Sequence, residues 1–296
     1  MAAVKTNTDV FTLGNGNKIP AVALGTWESK GGDAYKSVKV ALENGYRHID
    51  TAAAYGNEKE VGQAIKDSGV PREEIFVTSK LWNDDHKNPS AAFEKSLKDL
   101  GLDYLDLYLM HWPVSNSDGR KSEEKDYDYI ETYKKMQELA KSGKAKAIGI
   151  SNFTKERIEK LLSDPEVTIK PAALQIEAHP LLTQPELFNY AKKENILIEA
   201  YSPLGHSSGD SPLFKNSLIT SVAEKYGVDP AQVLISWAVQ RGTVVLPKSV
   251  HEERIISNLK TFTLADEDFE ALNNLSKKEG SQRVNDTPWD VFSNDP

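Results

Sequence analysis

The feature that most restricts the fold of this chain is a repeated alternation. Eight short runs of apolar and β-branched residues recur along 296 residues, with helical periodicity in the stretches between them. The runs are AVALGT (21–26), RHIDT (47–51), IFVTSKLW (75–82), LDLYLMHW (105–112), KAIGISN (146–152), AALQIEAH (172–179), ILIEAYSP (196–203) and TVVLPKS (243–249). Helical patterns such as DAYKSVKVALENG, NPSAAFEKSLKDLG and PAQVLISWAVQRG close on glycine, as helices commonly do. Eight strand–helix units predict an α/β fold, a closed parallel (β/α)8 TIM barrel. An open doubly wound sheet would usually carry G-x-G-x-x-G after its first strand; the chain has LGTWESKGG there. Ahead of the first run, DVFTL, the turn LGNGNKIP and then AVAL read as a β-hairpin capping the barrel bottom. No linker or low-complexity stretch interrupts the pattern, so residues 1–296 are expected to form a single barrel domain. The polar tail from Ser276 to Pro296, closing in TPWDVF, is expected to lie across one face.

Charge and composition exclude several classes. A net charge of −8 disfavours broad contact with nucleic acid or an anionic membrane, though not a local basic pocket for a phosphorylated small molecule. Cysteine is absent, which removes disulfides, thiol nucleophiles and thiolate metal sites. The N-terminus has no apolar signal region and no apolar run reaches membrane-spanning length, so the chain is expected to be cytoplasmic. The six histidines show no H-x-x-x-H spacing, and no G-x-S-x-G nucleophile elbow is present, so metal and serine-hydrolase readings are poor. His48 and His179 read as structural.

In such a barrel the chemistry sits at the C-terminal ends of the strands. Reading those ends gives Thr26 and Trp27, then Asp50 with Tyr55 beyond it, Lys80 with Trp82, and His111 with Trp112. The later strands supply Ser151 and Asn152, Gln175 and Glu177, Tyr201 and Ser202, and Lys248 and Ser249. Any one polar residue at a strand end is more often structural than catalytic. Lys80 differs, because it lies in an apolar strand and lysine is almost never buried unpaired. Asp50 on the neighbouring strand is its natural counter-charge. A tyrosine hydroxyl can donate a proton, and an ammonium beside it would stabilise the phenolate left behind. With His111 to direct an oxygen, the four groups suit nucleophilic addition to a carbonyl. No side chain can supply hydride, so a nicotinamide cofactor is implied. Trp27, Trp82 and Trp112 suggest an aromatic cup for an uncharged carbonyl compound, which Trp289 and Phe292 of the tail could close.

The motifs GTW, GYRHIDTAAAYGNEKEVG, SKLWN, LDYLDLYLMHWP, IGISNF, QIEAHP, EAYSPLG and LPKSV, in this order, resemble the aldo-keto reductase family over nearly the whole chain. The resemblance is strongest to its fungal carbonyl-reducing and glycerol-oxidising members. It implies Tyr55 as proton donor, Asp50 and Lys80 as its tuning partners, and His111 as the group orienting substrate. It implies a site for NADPH or NADP⁺ built from Gly25, Thr26, Trp27 and Asp50. Ser151, Asn152 and Gln175 would bind the carboxamide, Tyr201 would stack on the nicotinamide, and Ser202, Pro203, Leu204 and Gly205 would follow the pyrophosphate. Lys248, Ser249 and Arg254 would hold the 2′-phosphate, Asn258 the adenine, and Val250 would also meet the cofactor. Substrate would meet Trp27, Tyr55, Trp82, His111 and Trp112. The implied function is reversible NADPH-dependent reduction of aldehydes and ketones by a monomer. Two features depart from the family pattern: Ser257 precedes Asn258 where Glu or Gln is usual, and His206 replaces a small residue. Loop 114–128 is charged and short. The alternatives are a low-turnover dinucleotide-binding barrel that senses or binds a partner, and an isomerase using Lys80 as a Schiff-base amine.

Overall fold

The computed structural model describes residues 3–116, 123–205 and 211–285, with Thr287, Trp289, Val291 and Phe292. His206 and part of loop 114–128 lie outside the described residues. Eight parallel strands pair in chain order: β1 (Leu24–Gly25), β2 (His48–Asp50), β3 (Phe76–Leu81), β4 (Leu107–Met110), β5 (Ile148–Ser151), β6 (Ala173–Glu177), β7 (Leu197–Tyr201) and β8 (Val244–Val245). The first and last strands meet through parallel bridges Val22–Val245 and Gly25–Lys248. The Ala23 N–H donates to the Val245 carbonyl, and the Val245 N–H to that of Ala21. The predicted α/β barrel is therefore present and closed. Both strands at this seam are only two residues long, so the apolar runs there overstate the regular structure.

The hairpin is present with one change. Val10–Thr12 pairs with Lys18–Pro20, not with the AVAL stretch that follows. The Ala21 N–H still donates to the Asp9 carbonyl of the first arm, but the Ala21 carbonyl and the Ala23 N–H are spent on the seam. The turn seals the N-terminal end of the barrel: the Gly14 N–H donates to the Ala172 carbonyl, and Asn15 Nδ2 to that of Lys146. Leu13 and Ile19 are buried there against Phe76, Leu107, Ala147, Ala173 and Val244.

Strand parity divides the core into two shells. Leu107, Leu109, Ala147 and Ala173 belong to the barrel interior, whereas Tyr108, Met110, Ile148 and Ile150 pack outward under the helices. Continuing the inward parity to the C-terminal ends brings Asp50, Lys80, His111, Ser151, Gln175 and Tyr201 toward one mouth.

The outer helices follow their sequence signals. Helix Pro89–Leu100 starts after Asn88, whose side chain accepts the Ala91 N–H, and carries proline in its first turn. It stops at Gly101, whose φ of 66° is left-handed. It buries Ala92, Phe93, Leu97 and Leu100, and full burial of a side chain such as Phe93 contributes about 1.5–3 kcal/mol. Helix Glu58–Asp67 approaches it closely at Gly62, where any Cβ would overlap the Leu100 backbone. Past helix Leu275–Glu279 the chain crosses the mouth: the Gln282 N–H donates to the Leu181 carbonyl, and the Val284 and Asn285 N–H groups to the Glu177 carboxylate. Among the described residues no helix is long and apolar enough to cross a membrane.

Candidate active site

Asp50 ends β2, and the loop beyond it is tightly braced. Thr26 Oγ1 donates to the Asp50 carbonyl, and Asn57 Nδ2 donates to the carbonyls of Thr26 and Ser29. A single 3-10 turn, Ala53–Tyr55, then carries the phenol back over the strand end and stops at Gly56, whose φ is 69°. Lys80, the fifth residue of β3, is 0% exposed. Its Nζ donates to Asp50 Oδ1 at 2.6 Å, to the Thr51 carbonyl at 2.9 Å and to the Tyr55 hydroxyl at 3.2 Å. The ammonium is thus fully used, with a carboxylate fixing it and the phenol as its third contact.

The electrostatics refine the expected acid. Burial alone would lower the Lys80 pKa, but Asp50 and Tyr55 outweigh it and hold the ammonium above the ordinary lysine value. Burial raises the Tyr55 pKa; Lys80 pulls it down and Asp50 opposes that pull, leaving a net rise. The lysine therefore moderates the phenol without making it acidic outright. The phenol keeps its proton at neutral pH. The Schiff-base reading fails on the same geometry, because an ammonium with three acceptors and no exposure is not a free amine.

His111 follows β4 and faces Tyr55 edge-on, with ring centroids 5.8 Å apart. Trp82 packs on it at 5.2 Å and Trp112 lies nearly parallel at 6.4 Å. Burial, and then Lys80, push its pKa well below the usual histidine value, so the imidazole is neutral. Its Nδ1 is buried without a partner.

Across the mouth, Asn152 takes a left-handed φ of 62° at the end of β5. This turns its side chain to donate from Nδ2 to the His111 carbonyl and to accept the Tyr201 hydroxyl at 2.6 Å. Ser151 is buried, donates to the Gln175 carbonyl and does not line the cavity. Gln175 Nε2 donates to Asp50 Oδ2 at 2.8 Å.

These groups border one cavity of about 1020 Å³. Its floor is Asp50, Tyr55, His111, Asn152, Gln175 and Tyr201, with Lys80 just beneath. Gly25, Thr26 and Trp27 line the cavity, as do Ser202, Pro203, Leu204 and Gly205. At one end lie Lys248, Ser249, Val250, His251, Arg254, Ser257 and Asn258, and at the other Trp82, Trp112 and Trp289. Trp289 packs on Trp112 at 5.4 Å and on Trp82 at 6.0 Å, and Phe292 reaches Trp112 at 6.1 Å. Trp27 is 47% exposed at the rim. Of the cofactor and substrate residues read from sequence, only Ser151 stays behind the wall.

The tail is held by Glu177, to which the sequence assigns no role, and by His179, which fits its structural reading. Glu177 accepts His179 Nε2 at 2.9 Å, both tail N–H groups and Asn285 Nδ2. The same Asn285 Nδ2 reaches Ser202 Oγ at 3.0 Å. His48 Nδ1 faces the Pro20 carbonyl inside the barrel. Glu199, a glutamate within the apolar run ILIEAYSP, is as conspicuous in the sequence as Lys80. Among the described residues no group of three or more His, Asp, Glu or Cys side chains is placed to hold a metal.

Comparison with known proteins agrees with this geometry. The aldo/keto reductase family model matches residues 21–277. The chain is 52% identical over 311 residues to glycerol 2-dehydrogenase (NADP(+)) of Saccharomyces cerevisiae, covering 98% of this chain and 99% of that protein. It is 50% identical over 308 residues to an aldehyde reductase of the same yeast, covering 98% of each. The crystal structure of a Bombyx mori aldo-keto reductase in complex with NADP superposes with a TM-score of 0.87 at 38% identity, covering 95% of this chain and 96% of that one. A barrel mouth carrying this lysine, carboxylate, phenol and imidazole, with a family match over most of the chain, places this protein in the aldo/keto reductase family.

Proposed function

We propose that this chain reduces aldehydes and ketones to alcohols with NADPH, and runs the reverse oxidation when NADP⁺ is abundant, with residues 1–296 acting as one barrel domain. The observation that carries this reading is the 3.2 Å contact between Lys80 Nζ and the Tyr55 hydroxyl at the floor of a long cavity. The cavity fits the cofactor. Its volume is at the upper end for small-molecule sites, and it joins a basic end to an aromatic end. Gly25 lies so close to the Leu246 backbone that a side chain would crowd it, which keeps that wall flat. Lys248 and Arg254 suit a 2′-phosphate, Asn258 an adenine, and the Tyr201 ring a nicotinamide face. When bound, the dinucleotide supplies the hydride.

The chain's own residues do the rest. The neutral imidazole of His111, which lines the cavity, donates a hydrogen bond to the carbonyl oxygen and so orients it. Tyr55 gives its proton to that oxygen as negative charge develops. Lys80, locked by Asp50, stabilises the phenolate that remains. Trp27, Trp82, Trp112 and Trp289 exclude water and favour uncharged substrates. A monomer, acting on small molecules and not on nucleic acid, completes the proposal; sedimentation would test the monomer.

The test is a panel of aldehydes and ketones run with NADPH and with NADH, following loss of reduced nicotinamide. Turnover with NADPH, weakened by Tyr55→Phe, supports the reading. NADPH binding without turnover on any carbonyl would return the chain to a sensing or partner-binding role.

A further inference from the structure

Glu199 is the middle inward residue of β7, 0% exposed, and the carbonyl-reduction mechanism above gives it no task. Its neighbours form a cluster in the barrel core. Gln175 of β6 donates from Nε2 both to Asp50 Oδ2 at 2.8 Å and to Glu199 Oε2 at 3.4 Å. Glu199 Oε1 has no hydrogen-bond partner and lies 4.0 Å from His48 Nε2. The charged or titratable groups acting on Glu199 from the packed strands are His48 and Asp50 of β2 and Lys80 of β3. Gln175 and Val244 flank it in register, on β6 and β8.

Two features follow from this arrangement. First, the Gln175 amide orientation is fixed, because both carboxyl groups need its N–H. Its carbonyl oxygen is the end left for the cavity, where it can accept a hydrogen bond from a carboxamide N–H. Second, His48 Nδ1 faces the Pro20 carbonyl at 3.1 Å, so Nδ1 carries the hydrogen and Nε2 presents a lone pair. A lone pair facing a buried carboxylate would repel it. Thr78 Oγ1, 3.4 Å away, can donate to that lone pair, whereas Glu199 Oε1 at 4.0 Å is too far to do so; a proton on the unpartnered Oε1 acts by removing the buried negative charge and its repulsion of Nε2.

We propose that Glu199 is a positioning residue: as the neutral acid it leaves Gln175 on Asp50 with its carbonyl toward the nicotinamide, and on losing its proton it draws Gln175 away and disarms that end of the site. The proposal rests on reading the cavity as a dinucleotide site. Burial, then Asp50, push the Glu199 pKa up to about 8, whereas burial lowers that of His48 to about 4, so the proton resides on Glu199. An ionised Glu199 also places a second negative charge beside Asp50, which weakens Tyr55 as a proton donor.

The experiment compares wild type with Glu199→Gln, an isostere of the neutral acid, and with Glu199→Met should the first variant not fold. In wild type, kcat for carbonyl reduction should fall about tenfold between pH 7 and 9 as the acid titrates. In Glu199→Gln this limb should be absent. A second readout needs no cofactor. An acid whose folded pKa is raised stabilises the fold below its unfolded value, from the usual 4.5, and loses that contribution as pH climbs to about 8. The melting temperature of the variant relative to wild type should therefore rise steadily between pH 5 and about 8. A wild-type limb that persists unchanged in the variant, or a melting difference independent of pH, overturns the proposal. Absence of any NADPH-dependent turnover would instead overturn the proposed function, and the melting comparison would still report on Glu199.

Discussion

At the scale of single residues, the site is a contest between burial and pairing. Tyr55 is kept protonated by desolvation and kept usable by Lys80. Tyr55→Phe removes the proposed proton donor but keeps the ring, so kcat should fall by ~10²–10⁴-fold. The dissociation constant for NADPH, read by fluorescence titration, should change less than about twofold, since the lost hydroxyl is a catalytic contact. Lys80→Met leaves Asp50 buried with its main counter-charge gone. Removal of one partner of a buried pair costs roughly 3–5 kcal/mol, so urea unfolding should show a loss of that size together with lost turnover. A stability change under 1 kcal/mol would mean that water already reaches Asp50. His111 is neutral well below the usual histidine range, because burial and Lys80 both disfavour its charge. The pH profile of kcat/KM for reduction should then be flat between about 5.5 and 7, and an imidazole limb in that window would contradict the geometry. All four of these residues were legible in the sequence, because a lysine inside an apolar strand demands a partner. Glu199 obeys the same rule but has no full counter-charge, so its chain of contacts through Gln175 and His48 could not be foreseen.

At the scale of elements, two close approaches set the architecture. Gly62 lets helix Glu58–Asp67 meet the end of helix Pro89–Leu100, and a methyl there would strike backbone. Gly62→Ala should destabilise by about 1–3 kcal/mol, measured by denaturant titration, with NADPH affinity retained because the contact lies on the outer wall. The tail is the second case. Asn285 joins Glu177 to Ser202, and Trp289 packs on Trp82 and Trp112. Burial works against the Glu177 carboxylate, but His179 and the tail donors hold its pKa below the usual value. Asn285→Ala should loosen the tail and raise KM for bulky aromatic ketones by ~3–10-fold, the equivalent of about one ordinary hydrogen bond, with less effect on small aldehydes. Equal effects on all substrates would place the tail outside the substrate pocket. The aromatic close of the tail was visible in TPWDVF. Its anchor was not, because a polar segment without periodicity gives no sign of which acid it will cap.

At the scale of the whole molecule, cofactor and fold stabilise one another. NADPH at ~100 times its dissociation constant should add about 2.7 kcal/mol, which is roughly 4 °C in melting temperature for a chain of this size. NADH at the same concentration should add less, because Lys248 and Arg254 would have no 2′-phosphate to meet; equal shifts would remove the case for NADPH preference. By itself the sequence determined the eightfold alternation, the helix stops, the hairpin and the four polar groups that the barrel brings together at its mouth, since these depend on local periodicity and on the cost of burying charge. Only the tertiary structure decided where the barrel closes, which end of the Gln175 amide faces the cavity, that Ser151 stays behind the wall, and that Glu177 holds the tail. Those outcomes depend on distances between residues far apart in the chain, and no pattern within a single strand or helix encodes them.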